Sequence, residues 1–118
     1  MAFSLAEKQL GQGTPADTNA ASIYSPGDDT TGVIKEIFVC NTSASNRTFR
    51  IFVDDDGTTY STATALYYDV TVNANTTTQI STFIGMDDSA GNFAIRSSAA
   101  NDLTFTIFGY EVRRKLNA

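Results

Sequence analysis

In several stretches of the chain apolar residues recur at every second position, and clusters of turn-forming residues separate these stretches at short intervals. Phe49, Ile51 and Val53 alternate with Thr48, Arg50 and Phe52. Leu66, Tyr68, Val70 and Val72 alternate with Tyr67, Asp69 and Thr71, and Leu103, Phe105 and Ile107 form an inward row near the end. This period of two predicts half-buried strands. Further strands are predicted at residues 22–24, 33–40, 76–83 and 92–97, and the final one over 103–112. Ser25-Pro26-Gly27, Asn73-Ala74-Asn75 and Asp54-Asp55-Asp56-Gly57 carry turn chemistry, with Gly57 expected to supply a positive φ. No stretch reads as a helix. About eight strands joined by short turns predict an all-β fold, an antiparallel, jelly-roll-like β-sandwich. A barrel is less well served, because the strands and their linkers differ in length.

Residues 1–30 are patterned differently. Short apolar pieces (Phe3, Leu5, Leu10) are interrupted by the breaker-rich Gly11-Gln12-Gly13-Thr14-Pro15 before the short strand near Ser22-Ile23-Tyr24. We read 1–30 as an extended arm with a first short strand, part of the same unit as a sandwich body over 31–118. An arm of this kind either packs along its own body or reaches onto a neighbour.

Composition sharpens the class. Thr, Ser and Asn supply 17, 10 and 8 residues, 35 of 118, a mixture suited to pleated surfaces and turns. The chain is one domain by length. Histidine is absent, so Ser-His-Asp and Cys-His catalysis cannot be built within the chain. Cys40 is the single cysteine, which excludes an internal disulfide and any multi-cysteine metal site; its apolar neighbours predict a buried small hydrophobe. Paired carboxylates could in principle serve a glycosidase, but no Trp is present to build a sugar groove. No enzyme, cofactor or metal site is expected. The three consecutive Asp of residues 54–56 point apart in an extended loop and read as a solvated turn before a hairpin.

Net charge is −5, which argues against nucleic acid as the principal partner. The charge is uneven: residues 1–110 hold 5 basic and 12 acidic groups, net −7, and the last eight hold Arg113, Arg114 and Lys115 against Glu111, net +2. A basic tail end of this kind is either a solvated end or a tether for an acidic partner surface. Residues 1–8 show no basic-then-apolar secretion signal, and no apolar run is long enough to span a membrane. The sequons at Asn41, Asn46 and Asn75 are therefore not expected to carry glycans. Phe52, Tyr67 and Phe108 fall on the polar side of their strands, which makes them core if that face is covered and a subunit contact if it is not.

Several stretches resemble small virion proteins of tailed bacteriophages: Lys8-Gln9-Leu10-Gly11-Gln12, Val39-Cys40-Asn41-Thr42, Ile51-Phe52-Val53-Asp54-Asp55-Asp56-Gly57-Thr58-Thr59-Tyr60, Thr64-Ala65-Leu66-Tyr67 and the closing Leu103-Thr104-Phe105-Thr106-Ile107-Phe108-Gly109-Tyr110-Glu111. The resemblance covers roughly residues 8–112 and rests on cadence rather than on an active-site motif. It implies a β-sandwich that assembles as a symmetric oligomer, often a homotrimer, and binds the outside of a protein shell. Capsid decoration (cement) proteins and tail or fibre components share this cadence. For a decoration protein the partner would be the major capsid protein, the location the virion after assembly in the host cytoplasm. The contact residues would then be Phe3, Leu5 and Leu10, the basic Arg113, Arg114 and Lys115, and the aromatics Phe52, Tyr67 and Phe108.

Overall fold

The structure, a computed structural model, describes residues 2–115, with side chains described over residues 7–113. Eight strands follow one another: β1 (Ala2–Gly13), β2 (Ala21–Tyr24), β3 (Thr30–Asn41), β4 (Arg47–Asp54), β5 (Ala65–Val72), β6 (Thr77–Met86), β7 (Asn92–Ser97) and β8 (Leu103–Lys115). There is no helix among the described residues. The strands form two four-stranded sheets, β1-β8-β3-β6 and β2-β7-β4-β5, antiparallel throughout.

The order has a simple logic. A long hairpin closing between β4 and β5 sets β1 beside β8, β2 beside β7, β3 beside β6 and β4 beside β5. Those four pairs fall alternately in the first and second sheet. Rolling the hairpin over itself in this way generates the jelly roll expected from the pattern.

The core lies between the sheets. Ile34, Ile37 and Val39 of β3, Leu103, Phe105 and Ile107 of β8, and Ile84 and Met86 of β6 line the first sheet's inner face. Tyr24, Phe49, Ile51, Val72, Phe93 and Ile95 face them from the second. Phe49 and Phe105 meet edge to face across the gap, centroids 5.9 Å apart, the arrangement ring quadrupoles favour. Asn41 closes one end. Its buried side-chain amide donates to the carbonyls of Ser45, Val72 and Asn73, and its oxygen accepts from the Ser43 backbone N–H and hydroxyl. The Asn41 sequon is thus consumed inside the fold.

Four details depart from the sequence reading. The β5 row reverses partway: Leu66 and Tyr68 are exposed, at 51% and 46%, while Tyr67 packs against the core with Val70 and Val72. Asp69 sits at φ 53° and the β4–β5 register shifts between Phe49 and Ile51. A bulge there adds one residue and exchanges the faces before it. Similarly, the β3 register shifts between Ile34 and Glu36 against both neighbours. Ile34 and Ile37 then both face inward, so Cys40 stands half-buried on the outer face rather than in the core.

Gly57 does not supply the positive φ, which falls instead on Asp29, Asp69, Asn75 and Asn101. The Asp54 carboxylate braces that turn by accepting from the backbone N–H groups of Asp56 and Thr59. Finally, residues 2–13 form one twelve-residue strand laid along β8, not two short extended pieces. The local sequence hides it because its neighbour lies about a hundred residues away.

Candidate functional site on the outer face of the first sheet

The two inward rows force their alternate neighbours outward. On β8 these are Phe108 and Tyr110, and on β3 they are Lys35, Phe38 and Cys40. On β6 they are Gln79, Ser81 and Phe83. Phe38 and Phe108 meet edge to face at 5.7 Å. Phe83 is 67% exposed and Phe108 39%. The Lys35 ammonium, lifted by the β3 bulge, stands 5.8 Å from the Phe83 ring centroid and 6.0 Å from that of Tyr110, within the range of cation–π attraction. A shallow hollow of about 540 Å³ opens beside it, lined by Glu7, Lys8, Lys35, Glu36, Phe108, Gly109 and Tyr110. Gly109 is required there: a Cβ would run into the Val33 carbonyl at the bulge.

The hollow's charges are partly engaged. Glu36 accepts from the Gln79 amide and the Ser81 hydroxyl. Lys8 pairs with Glu111 at 2.9 Å, and the Tyr24 hydroxyl donates to the other oxygen of the same carboxylate at 2.8 Å. Burial disfavours ionised Glu111, but Lys8, the Tyr24 hydroxyl and Arg113 outweigh it and hold the carboxyl below its ordinary range. Burial, with the Glu111 charge added, pushes the Tyr24 phenol well above its usual value. The tie between the sheets therefore stays ionised on one side and protonated on the other across neutral pH. A surface of aromatic rings, one free-standing ammonium and engaged carboxylates can dock a protein.

The residues singled out from sequence fall in four places. Phe3, Leu5, Arg114 and Lys115 have side chains outside the described residues. Their backbones are paired within this chain: Phe3 lies opposite Arg114, Ala2 opposite Lys115 and Leu5 opposite Val112. The two termini named as contacts thus run side by side, with Arg113 exposed near their end. Leu10, half-buried, packs against the core. Phe52 is covered, at 3% exposure, and its ring lies 6.4 Å from that of Tyr60 in the 55–64 loop. Tyr67 faces inward and Phe108 outward on the opposite sheet. The three aromatics do not form one patch.

Sequence reasoning missed Phe83, Lys35 and Tyr110. The alternation Ile80, Thr82, Ile84 was a signal that could have put Phe83 outward; nothing local announced the β3 bulge that raises Lys35.

The acidic loops gather at one end. The Asn92 amide donates to the Gly57 carbonyl at 2.8 Å, and the hydrogen bond with Asp54, followed by the negative charges of Asp54, Asp55 and Asp88, raises the Asp56 carboxyl above its ordinary range. Hydrogen bonds from Thr59 and Asp56 lower Asp54. Among the described residues no three carboxylate or thiol groups converge as metal ligands would.

No protein-family model matches the chain, and no curated protein matches its sequence. Solved structures share its fold. A chain of infectious bursal disease virus (Gx strain) superposes with a TM-score of 0.53 at 12% identity, over 95% of this chain and 33% of that one. The VP2 subviral particle of infectious bursal disease virus gives 0.52 at 10%, over 93% and 32%. The coat protein of tobacco streak virus, solved as a dimer, gives 0.50 at 11%, over 98% of this chain and 87% of that one. This chain therefore spans about a third of the bursal virus chains and most of the tobacco streak virus protein. Its eight-stranded jelly roll is the fold it shares with these chains.

Proposed function

We propose that this chain is a virion structural protein, and within that class a capsid decoration protein of a tailed bacteriophage. It binds the outer surface of the major capsid protein shell, bridges adjacent subunits and acts without catalysis. The observation that carries the reading is the fold: nearly the whole chain is one jelly roll, matched over 98% of its length to a viral coat protein. The bacteriophage cadence of residues 8–112 supplies the kind of virus. A ligand that binds only the assembled shell stabilises it by mass action, so many weak copies suffice. The outer aromatic face of the first sheet, with Phe83, Phe108 and Tyr110, and the paired termini carrying Arg113 are the surfaces assigned to the shell contact. A homotrimer is the assembly implied by the resemblance.

A second reading, a tail-fibre or receptor-binding module, is favoured by one observation. The 54–60 and 87–91 loops, distant in sequence, lie together at one end, where a receptor-reading tip would be.

Copy number per purified virion, measured by quantitative mass spectrometry against the shell subunit, tests both. Hundreds of copies in fixed ratio to the shell are expected for decoration. A few to a few tens would transfer the chain to the tail, and absence from particles would end the virion reading.

A further inference from the structure

A jelly roll leaves four strand edges open, and unguarded edges pair with other chains. Three of the four are guarded here. The β1 edge carries Glu7 and Lys8 and a register shift between Gln9 and Gly11. The β2 edge is four residues long and irregular. The β5 edge carries the Asp69 bulge and its charge.

The fourth, β6, shares a register shift, against β3 at Thr82–Phe83, but has neither the charges of the β1 and β5 edges nor the shortness of β2. Its ten residues, Thr-Thr-Gln-Ile-Ser-Thr-Phe-Ile-Gly-Met, include no charge and no proline. Among the described residues no loop or side chain bonds to its outward backbone. On either side of that shift every second residue of the edge turns its N–H and C=O outward. Phe83, at 67% the most exposed of the described large hydrophobic side chains, stands on this strand.

We propose that β6 is the strand through which two copies of this chain pair, antiparallel and about a twofold axis, into one continuous eight-stranded sheet. Charge selects both the occupant and its direction. A second copy presents the same neutral Thr, Ser, Gln and Phe row, so no like charges oppose along it. Asp87 and Asp88 follow the strand immediately. Parallel pairing would set the two acidic pairs side by side. Antiparallel pairing places each near the other copy's neutral 73–76 turn and separates the pairs by about 30 Å, beyond the roughly 8 Å screening length of physiological salt.

One strand edge buries less than the roughly 1,600 Å² of a standard stable interface. Pairing is accordingly weak in free solution and dominant where copies are concentrated on a surface. It links chains two at a time, so it adds to any threefold contact and joins trimers to each other. It follows from the fold and holds for a head or a tail protein alike.

The test is sedimentation of the full-length chain from micromolar concentration to about 1 mM, with hydrogen exchange of the β6 amides at both ends of that range. The wild type is expected to double the mass of its smallest species and to gain protection along β6 as concentration rises. Gln79→Lys combined with Phe83→Lys, which places lysines on the edge within reach of Glu36, is expected to weaken the doubling at least tenfold while the melting transition persists. A wild-type mass that never doubles, with β6 exchange independent of concentration, would overturn the pairing. So would doubling undiminished in a folded double variant. Protection of β6 only when purified shell protein is added would also overturn it, and would assign the edge to a strand of the shell. Should the variant not fold, the concentration dependence of wild-type exchange decides alone.

Discussion

Tyr24, Glu111 and Lys8 make a buried-to-surface relay that holds the second sheet to the first. Tyr24→Phe removes a hydrogen bond to a charged acceptor and is expected to destabilise the fold by about 1.5–3 kcal/mol in chemical denaturation. Gly32→Ala should act on the same contact, because a Cβ there collides with the Tyr24 ring.

The pH dependence follows from the direction of the Glu111 shift. Its carboxyl titrates lower in the fold than its ordinary 4.5. The stability it contributes is therefore fully present above about 4.5 and is lost as pH falls through the lower folded value. Melting temperature measured from pH 7 down to 3 should drop in that window, and Glu111→Gln should flatten part of the drop. An unchanged profile would show that the tie contributes nothing. At the other end, Asn41→Ala strands the buried Val72 carbonyl and removes the bonds to the more exposed carbonyls of Ser45 and Asn73, and is expected to cost about 2 kcal/mol.

At the scale of elements, the β5 bulge is a packing device. Asp69 holds a left-handed φ that β-branched residues resist, and its carboxylate accepts two hydrogen bonds from Arg50, whose guanidinium carbon also lies 3.9 Å from the centroid of the Tyr68 ring. Asp69→Asn keeps access to the φ and loses the ion pair; Asp69→Val loses both. The melting temperature of the Val variant is expected to be the lower, and the reverse order would show that the bulge carries no strain. Between the sheets, Phe49→Ala empties a fully buried site and should cost about 3–5 kcal/mol.

The pattern of residues located most of the strands to within a few positions and identified the inward rows of β4 and β8. It misassigned Cys40 because an apolar run does not tell the inner face from the outer, and Leu66, Tyr67 and Tyr68 for a different reason. A period-two rule propagates until a residue is inserted, and the insertions at Asp69 and Lys35 are dictated by strands paired from elsewhere in the chain. The candidate docking face was legible in Phe108 alone; Phe83 was readable by alternation, and Lys35 was not.

For the whole molecule, the pairing of β1 with β8 and β2 with β7 means that the first and last strands must find each other across almost the full chain. Non-local topologies of this kind fold slowly, in milliseconds to seconds. Stopped-flow refolding should show a main phase in that range, and a microsecond phase carrying the full amplitude would contradict the topology. On the proposed decoration reading, Phe108→Ser together with Tyr110→Ser is expected to lower occupancy of purified heads while the melting temperature shifts far less than for Phe49→Ala. Undiminished occupancy would move the contact away from the outer aromatic face.

Local alternation and turn chemistry by themselves determined that the described residues form strands rather than helices and fold as a sandwich, and composition alone showed that no histidine is present for a Ser-His-Asp triad within the chain. Those properties depend on residue identity and spacing, which the sequence carries directly. Only the tertiary structure decided which strands are edges, where the bulges reverse a face, and that the two termini lie side by side. Each of these depends on which distant strands become neighbours, and that choice is made by the core as a whole when the long hairpin rolls up.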